Sequence, residues 1–389
     1  MTISGKAAIV GIGATEFSKD SGRSELQLAT ECARAALADA GLTPSDVDGM
    51  VTFSMDASAE IAVARELGVP SLSFFSRVPH GGGAACAIVQ QAVLAVTSGV
   101  ASVVVCYRAF NERSGSRFGR VQAAAAAQAS SMGIDNSWHY PMGLGTPAAA
   151  VAMFARRYMH EYGATSADFG RVAVADRRAA ASNPRAWFHE RPITLDDHQS
   201  SRWIVEPLRL LDCCQESDGG VALVVTTVDR ARDLPAVPAV IAAAAQGSGP
   251  DQFSMNSYYR PSLVGLPEMG LVARQLWAQS GIGPTDVSVA VLYDHFTPFV
   301  LVQLEELGFC APGEARDFIA GGALELDGRL PLNPHGGQLG EAYIHGMNGI
   351  AEAVRQVRGT AANQLQDVEH VLVTAGTGVP TSGLVLRGA

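Results

Sequence analysis

The six cysteines of this 389-residue chain form no CxxC pair. Their spacing supports neither a zinc site nor the disulfide framework of a small secreted domain. Cys32, Cys86, Cys106, Cys213, Cys214 and Cys310 mostly sit inside apolar runs, which points to reduced thiols and a cytoplasmic location. The adjacent pair Cys213-Cys214 reads as turn and packing, because disulfide geometry is demanding. The start MTISGKAAIVGIG lacks the charged, apolar and small-residue segments of a signal peptide and leads directly into a strand. Unbroken apolar runs are short. The longest region, Ala84 to Phe110, is interrupted at Gln90-Gln91 and Thr97-Ser98-Gly99, so it reads as a buried helix and a buried strand rather than a membrane span. Basic charge is also scarce: 28 Lys and Arg face 38 Asp and Glu, for a net charge of −10. That balance argues against non-specific nucleic-acid binding, while an anionic ligand needs only local basic residues. Gly11-x-Gly13 lacks the third glycine of a dinucleotide fingerprint.

What the chain does have is a copy of itself. CARAALADAGLTPSDVDGMVTFS, Cys32 to Ser54, matches VARQLWAQSGIGPTDVSVAVLYD, Val272 to Asp294, at a constant offset of 240 residues. Each copy reads as an Ala-rich helix, a Gly stop, a Pro-x-Asp-Val turn and a β-branched strand. The order β-α-β-α-β in the first half predicts parallel strands with helical crossovers, an α/β fold built from two similar halves. The first half covers 1–235 with an inserted lobe at about 107–170, and the second covers 236–389. The lobe holds Arg108, Arg113, Arg117 and Arg120.

Three segments carry titratable groups or glycines suited to a site. NPHGGQLGEAYIHG, Asn333 to Gly346, places His335, Glu341, Tyr343 and His345 on a glycine-rich turn. Such groups are costly to bury without partners. Tyr293-Asp294-His295 ends a strand whose copy ends blandly in Phe53-Ser54. Gly81-Gly82-Gly83 precedes a helix, where glycines let a ligand approach free N–H groups, or let two helices pack closely.

Taken in order, PMGLGTPAAAVAMFARRYM, ADRRAAASNPRAWFHERPIT, PLRLLDCCQESDGGVALVV, the DHF after Val289, and NPHGGQLGEAYIHG resemble the thiolase superfamily, specifically its sterol-carrier-protein (lipid-transfer) type. The resemblance spans nearly the whole chain. It implies a five-layered αβαβα fold of duplicated halves, a homodimer and a coenzyme A thioester substrate. The departures are informative. The family's nucleophilic cysteine falls on Gly82, counted back from Ser98-Gly99, and Cys86 lies a helical turn later. The family's GHP histidine falls on Tyr343. The residue before the acidic Asp294 is Tyr293, and VTAGTGVPTSG offers no second cysteine. This altered set is similar to that of the steroid side-chain-cleaving aldolases. Their reaction, as the resemblance implies, is retro-aldol cleavage of a 17-hydroxy steroid acyl-CoA to propionyl-CoA and a 17-keto steroid. The partner implied is the OB-fold, zinc-ribbon domain of an acyl-CoA hydratase subunit, in a heterotetramer. No cofactor is implied beyond the coenzyme A of the substrate.

Retro-aldol chemistry needs proton transfers and an enolate-holding site, not a nucleophile. Tyr293 and Tyr343 are the expected proton carriers, with Asp294, His295 and His345 to tune them. A free tyrosine has a pKa of about 10, so a base near neutrality requires a lowered pKa or a proton relay. Backbone N–H groups at Gly81, Gly82 and Gly83, or at Gly376 and Gly378, are the candidate oxyanion hole. The lobe arginines are candidates for the coenzyme A phosphates. The competing expectations are a thiolase using Cys86 and a non-catalytic acyl-CoA-binding subunit.

Overall fold

The computed structural model describes residues 3–115, 117, 139–252, 257, 259–377 and 381–389. The first half contributes β1 (Ala7–Ala14), α1 (Glu25–Asp39), β2 (Gly49–Phe53), α2 (Glu60–Leu67), β3 (Phe74–Val78), α3 (Ala85–Ser98) and β4 (Val103–Asn111). An excursion follows, with α4 (Pro147–Tyr162), α5 (Ser166–Ala181) and a small ribbon of β5 (Trp203–Val205) and β6 (Leu208–Arg209), before β7 (Asp218–Thr227) closes the half. The second half runs β8 (Ala239–Gly247), α6 (Pro267–Ser280), β9 (Val289–Val291), α7 (Thr297–Glu306), α8 (Met347–Arg358), β10 (His370–Ala375) and β11 (Thr381–Arg387).

The internal repeat survives in three dimensions. The α1 helix starts at a capping box formed by Ser24 and Gln27, and α6 follows the same course before a left-handed Gly281. Gly41 and Gly281 both adopt positive φ, +70° and +75°. The 3-10 turns Pro44–Asp46 and Pro284–Asp286 fall 240 residues apart. In each the Asp carboxylate accepts a backbone N–H three residues back, from Thr43 at 2.9 Å and Gly283 at 2.7 Å. Close packing of α1 on β1 explains Gly11-x-Gly13: a Cβ on Gly11 would lie 2.1 Å from the Ala36 carbonyl oxygen.

The strands join in one sheet in the order β3-β2-β4-β7-β1-β8-β11-β10-β9. Outward from the seam between β1 and β8, the two halves read β1-β7-β4-β2 and β8-β11-β10-β9, so equivalent strands hold equivalent places. The seam is short, pairing Ala8 with Val240 and Ile9 with Ala239. The sheet is mixed, which corrects the expectation of parallel strands. β2 lies parallel to β3 and β4, and β9 to β10, but β7 and β11 run against their neighbours. The reason is that the chain returns at the end where β4 stopped, pairing Asn111 with Asp218.

Three apolar cores separate five layers. The central one packs α3 and α8 between the sheet halves, with Phe53, Ile88, Val291, Ile350 and Val354. One outer core seats α1 through Leu28, Ala33 and Leu37. The other gathers α4, α5, α6 and α7 through Phe154, Phe169, Met269 and Phe299. The architecture is therefore αβαβα. The lobe expected over 107–170 does not begin at 107, because Tyr107 to Asn111 complete β4, and α4 and α5 belong to the outer layer of the second half. Arg120 and the rest of 118–138 lie outside the described residues. Among the described residues, no helix is long and apolar enough to cross a membrane.

Candidate active site

Tyr293 lies two residues beyond β9, and its backbone is held from two elements. Its N–H donates to Thr374 Oγ1 on β10 at 3.0 Å, and its carbonyl accepts from Gln303 Nε2 on α7 at 2.8 Å. Thr374 Oγ1 in turn donates to Gln303 Oε1 at 2.6 Å, closing a ring of three hydrogen bonds. Tyr343 arrives on the glycine-rich loop, its N–H donating to Ser217 Oγ at 3.1 Å. The two phenol oxygens meet at 3.1 Å. Burial pushes both phenols well above the ordinary tyrosine pKa. The structure thus brings the two expected tyrosines together, hydrogen-bonded to one another, and lowers the pKa of neither.

Gly82 explains how Tyr293 fits. A Cβ on Gly82 would lie 1.8 Å from the Tyr293 hydroxyl oxygen and 2.4 Å from Cζ. The space that a side chain at 82 would occupy is filled by the tyrosine. A cysteine at this position and a tyrosine at 293 exclude one another. Cys86 does not replace it. It is fully buried in α3, its thiol is pushed up by burial, and it does not reach the cavity.

Each tyrosine has a histidine two residues on. His295 sits with its ring centroid 4.8 Å from that of Tyr293, stacked on Phe299, with Nδ1 3.2 Å from Thr377 Oγ1. Burial lowers its pKa to about 3, so the ring is neutral. His345 lies 4.7 Å from the Tyr343 ring and accepts at Nδ1 from Arg108 Nε at 3.1 Å. A guanidinium only donates, so this bond fixes the proton of neutral His345 on Nε2. Burial, and then the Arg108 charge, holds its pKa well below the usual value. Arg108 is itself fully buried and pairs with Asp56 at 3.2 Å, whose Oδ2 also accepts the Ala109 N–H at 2.9 Å. A chain Asp56–Arg108–His345 thus sets one face of the site.

Asp294 is the acidic group expected to tune the tyrosines. It faces away from the cavity, and its carboxylate accepts the N–H groups of Gln338, at 2.9 Å, and Leu339, at 3.1 Å. It caps the short turn Gly337–Gly340 and so orients the loop bearing Tyr343. Burial raises its pKa. Of the glycines, Gly81 and Gly82 line the cavity, while Gly83 and Gly376 do not. Gly83 instead accepts the Ser382 hydroxyl at 2.7 Å, and the Gly376 carbonyl accepts that of Thr381 at 2.9 Å. Gly378 lies outside the described residues. His335 and Glu341 are buried beside one another off the cavity, and Glu341 binds the side-chain amides of Asn183 and Asn348. The expectation that the lobe arginines meet phosphates fails for Arg108, which is buried behind the site. Arg117 pairs with Glu216 through its Nε at 2.7 Å.

The cavity that these groups share has a volume of about 780 Å³. It takes a drug-sized ligand, and much of its wall is apolar. Phe188, Ile193, Ile204, Leu211, Phe296 and Leu339 contribute, and Lys19, Arg177 and Arg202 bring cationic groups. Sequence reasoning missed Asp56, Thr374, Gln303, Lys19 and Glu112. Only Glu112 left a signal: it is the carboxylate that follows directly on the apolar run of β4.

A family model described as "Thiolase C-terminal domain-like" matches residues 253–386. The chain is 70% identical over 384 residues to a "17-hydroxy-3-oxo-4-pregnene-20-carboxyl-CoA lyase" of Mycobacterium tuberculosis, covering 99% of this chain and 100% of the relative. The chain belongs to the steroid side-chain-cleaving aldolases of the thiolase superfamily. A "Steroid side-chain-cleaving aldolase" of Thermomonospora curvata is also 70% identical, over 382 residues and 98% of each chain. A solved structure described as "Ltp2-ChsH2(DUF35) aldolase" superposes with a TM-score of 0.96 at 68% identity, covering 100% of this chain and 99% of that one. The fold of this chain is that of the thiolases, and the space a side chain at position 82 would take is filled by a phenol.

Proposed function

We propose that this aldolase cleaves the side chain of a 17-hydroxy steroid acyl-CoA by a retro-aldol step, releasing propionyl-CoA and a 17-keto steroid. The observation that carries the reading is the 3.1 Å contact between Tyr293 and Tyr343 in a site where Gly82 leaves no room for a nucleophile. Both relatives at 70% identity are named for steroid side-chain chemistry.

The reaction moves one proton from the substrate β-hydroxyl to its α-carbon. As the Cα–Cβ bond breaks, its electron pair passes into the thioester enolate and the β-oxygen becomes a ketone. With both phenols neutral, one tyrosine takes the hydroxyl proton as it passes its own to the other, which protonates the α-carbon. The 3.1 Å bond between them carries the transfer, and no isolated phenolate has to persist in the buried site. The N–H groups at Gly81 and Gly82 and the Nε2–H of His345 support the enolate oxygen. Lys19, Arg177 and Arg202, together with the lobe residue Arg117, line the cavity and serve the acyl-CoA. Coenzyme A enters as part of the substrate, and no other cofactor is required.

The name Ltp2-ChsH2(DUF35) supports a DUF35 partner for this chain, and the partner we propose, after the family resemblance, is the OB-fold, zinc-ribbon domain of a hydratase subunit in a heterotetramer. The homodimer at its centre suits the free edge of β3, where Phe75 is 58% exposed and Ile61 on α2 is 64% exposed. Sedimentation of Phe75→Glu as a monomer is the expected result. Free cysteines throughout suit a cytoplasmic site of action.

The test of function is co-expression with such a partner, followed by incubation with the β-hydroxy steroid acyl-CoA and no free coenzyme A. Propionyl-CoA detected by mass spectrometry is expected. Turnover only when free coenzyme A is added would overturn the reading in favour of thiolysis.

A further inference from the structure

Glu112 follows directly on β4, the strand that presents Arg108 to His345. Its residue is 2% exposed, and it lines the cavity that holds both tyrosines. Its Oε2 is buried without a hydrogen-bond partner among the described residues. The cations nearby are engaged elsewhere. Lys19 Nζ, from the loop after β1, donates to Gln215 Oε1 at 2.9 Å and the Glu216 carbonyl at 2.6 Å. Arg117 is paired with Glu216, and Arg108 with Asp56. Cys214, Glu216 and Asp218, on the segment entering β7, and the two tyrosines add negative or ionisable groups facing it. An ionised carboxylate here would be buried and unpaired, whereas the protonated acid needs only an acceptor in the cavity.

We infer that Glu112 is a further catalytic residue of the proposed aldol cleavage, a neutral carboxylic acid whose O–H donates to the substrate oxygen that gains charge as the Cα–Cβ bond breaks. The role rests on the retro-aldol reading above. The Glu112 proton stays on Glu112; the electron pair of the broken bond moves toward the thioester oxygen, and the acid stabilises it there. Burial, and then the Glu216 charge, pushes the Glu112 pKa up to about 9, so the acid is protonated across the neutral range. A carboxylic acid kept neutral by an apolar site is a known form of oxyanion donor.

The experiment uses the complex of the chain with its partner and the same acyl-CoA substrate. Glu112→Ala is expected to lower kcat about 100-fold with little change in KM, the effect of removing one such donor. Glu112→Gln keeps an N–H donor and cannot ionise. It is expected to retain most of kcat at neutral pH and to lose the alkaline fall in rate centred near pH 9. Lys19→Met removes the neighbouring group whose own pKa is lowered to about 8; the fall should persist and move to higher pH, because Lys19 holds the Glu112 pKa down. Difference infrared spectra of wild type against Glu112→Gln at neutral pH should show the stretch of a protonated carboxyl. Wild-type kcat in Glu112→Ala, Glu112→Gln as slow as Glu112→Ala, or absence of the carboxyl stretch would each overturn the assignment. Loss of product in the wild type itself would instead remove the retro-aldol reading, and the catalytic role with it.

Discussion

At the scale of residues, the site turns on two phenols and one missing side chain. Tyr293→Phe and Tyr343→Phe each break the proton path, and a fall in kcat of about 10²- to 10⁴-fold is expected. Stability should change by only about 1 kcal/mol, the usual worth of one hydrogen bond, so melting curves separate catalysis from folding. Gly82→Ala forces a methyl group toward Tyr293, whose backbone cannot retreat from its ring of bonds. Overpacking of this kind costs about 1–3 kcal/mol. Adding Tyr293→Ala should recover much of that cost, so a double-mutant cycle on unfolding free energies should show coupling of about 1–3 kcal/mol. Both tyrosines were legible in the sequence: Tyr293 because the repeat showed one strand end enriched in titratable groups and its copy bland, and Tyr343 because it stands on a glycine-rich segment at the place of the family's GHP histidine. Arg108 was not legible in its role. Its partner His345 lies 237 residues away, and an arginine in a polar stretch reads as a solvated charge until burial is known.

At the scale of elements, the repeat unit of helix, turn and strand was legible because its glycine stops and Pro-x-Asp turns recur at a fixed offset. α7 was not. Every residue from Thr297 to Glu305 is buried, so the helix has no polar face to mark its period. Yet α7 holds Gln303, and through it Tyr293. Gln303→Leu would leave the Tyr293 carbonyl and the proton of the Thr374 hydroxyl without their partner in the core, at a cost of about 1–3 kcal/mol. Steady-state kinetics of this variant should show kcat falling more than KM rises, because Tyr293 is displaced and the cavity wall is kept. α2 and β3 also escaped sequence reading; the matched segments end at Ser54 and Asp294, before α2 and its counterpart α7 begin, so the repeat could not point to them.

At the scale of the whole molecule, burial of ionisable groups around the cavity sets how stability depends on pH. Glu112 holds its proton up to about pH 9 in the folded state, while the unfolded chain releases it near the ordinary glutamate value. Between those limits the folded state binds the extra proton, so this group's contribution weakens as pH rises. Glu112→Gln should therefore gain stability relative to wild type by about 1.4 kcal/mol per pH unit between pH 5 and 8, measured by urea denaturation. The duplicated αβαβα plan was legible from the repeat and the family resemblance. The mixed direction of the sheet was not, because the long excursion between β4 and β7 hides which end of the sheet the chain re-enters.

The glycine beneath Tyr293 also bears on descent. A lineage that regained a side chain at position 82 while keeping the tyrosine would lose the fit of its site. One that lost the tyrosine first would have neither a proton carrier nor a nucleophile. The route back to thiol chemistry passes through an inactive protein in either order, so the exchange behaves as a ratchet.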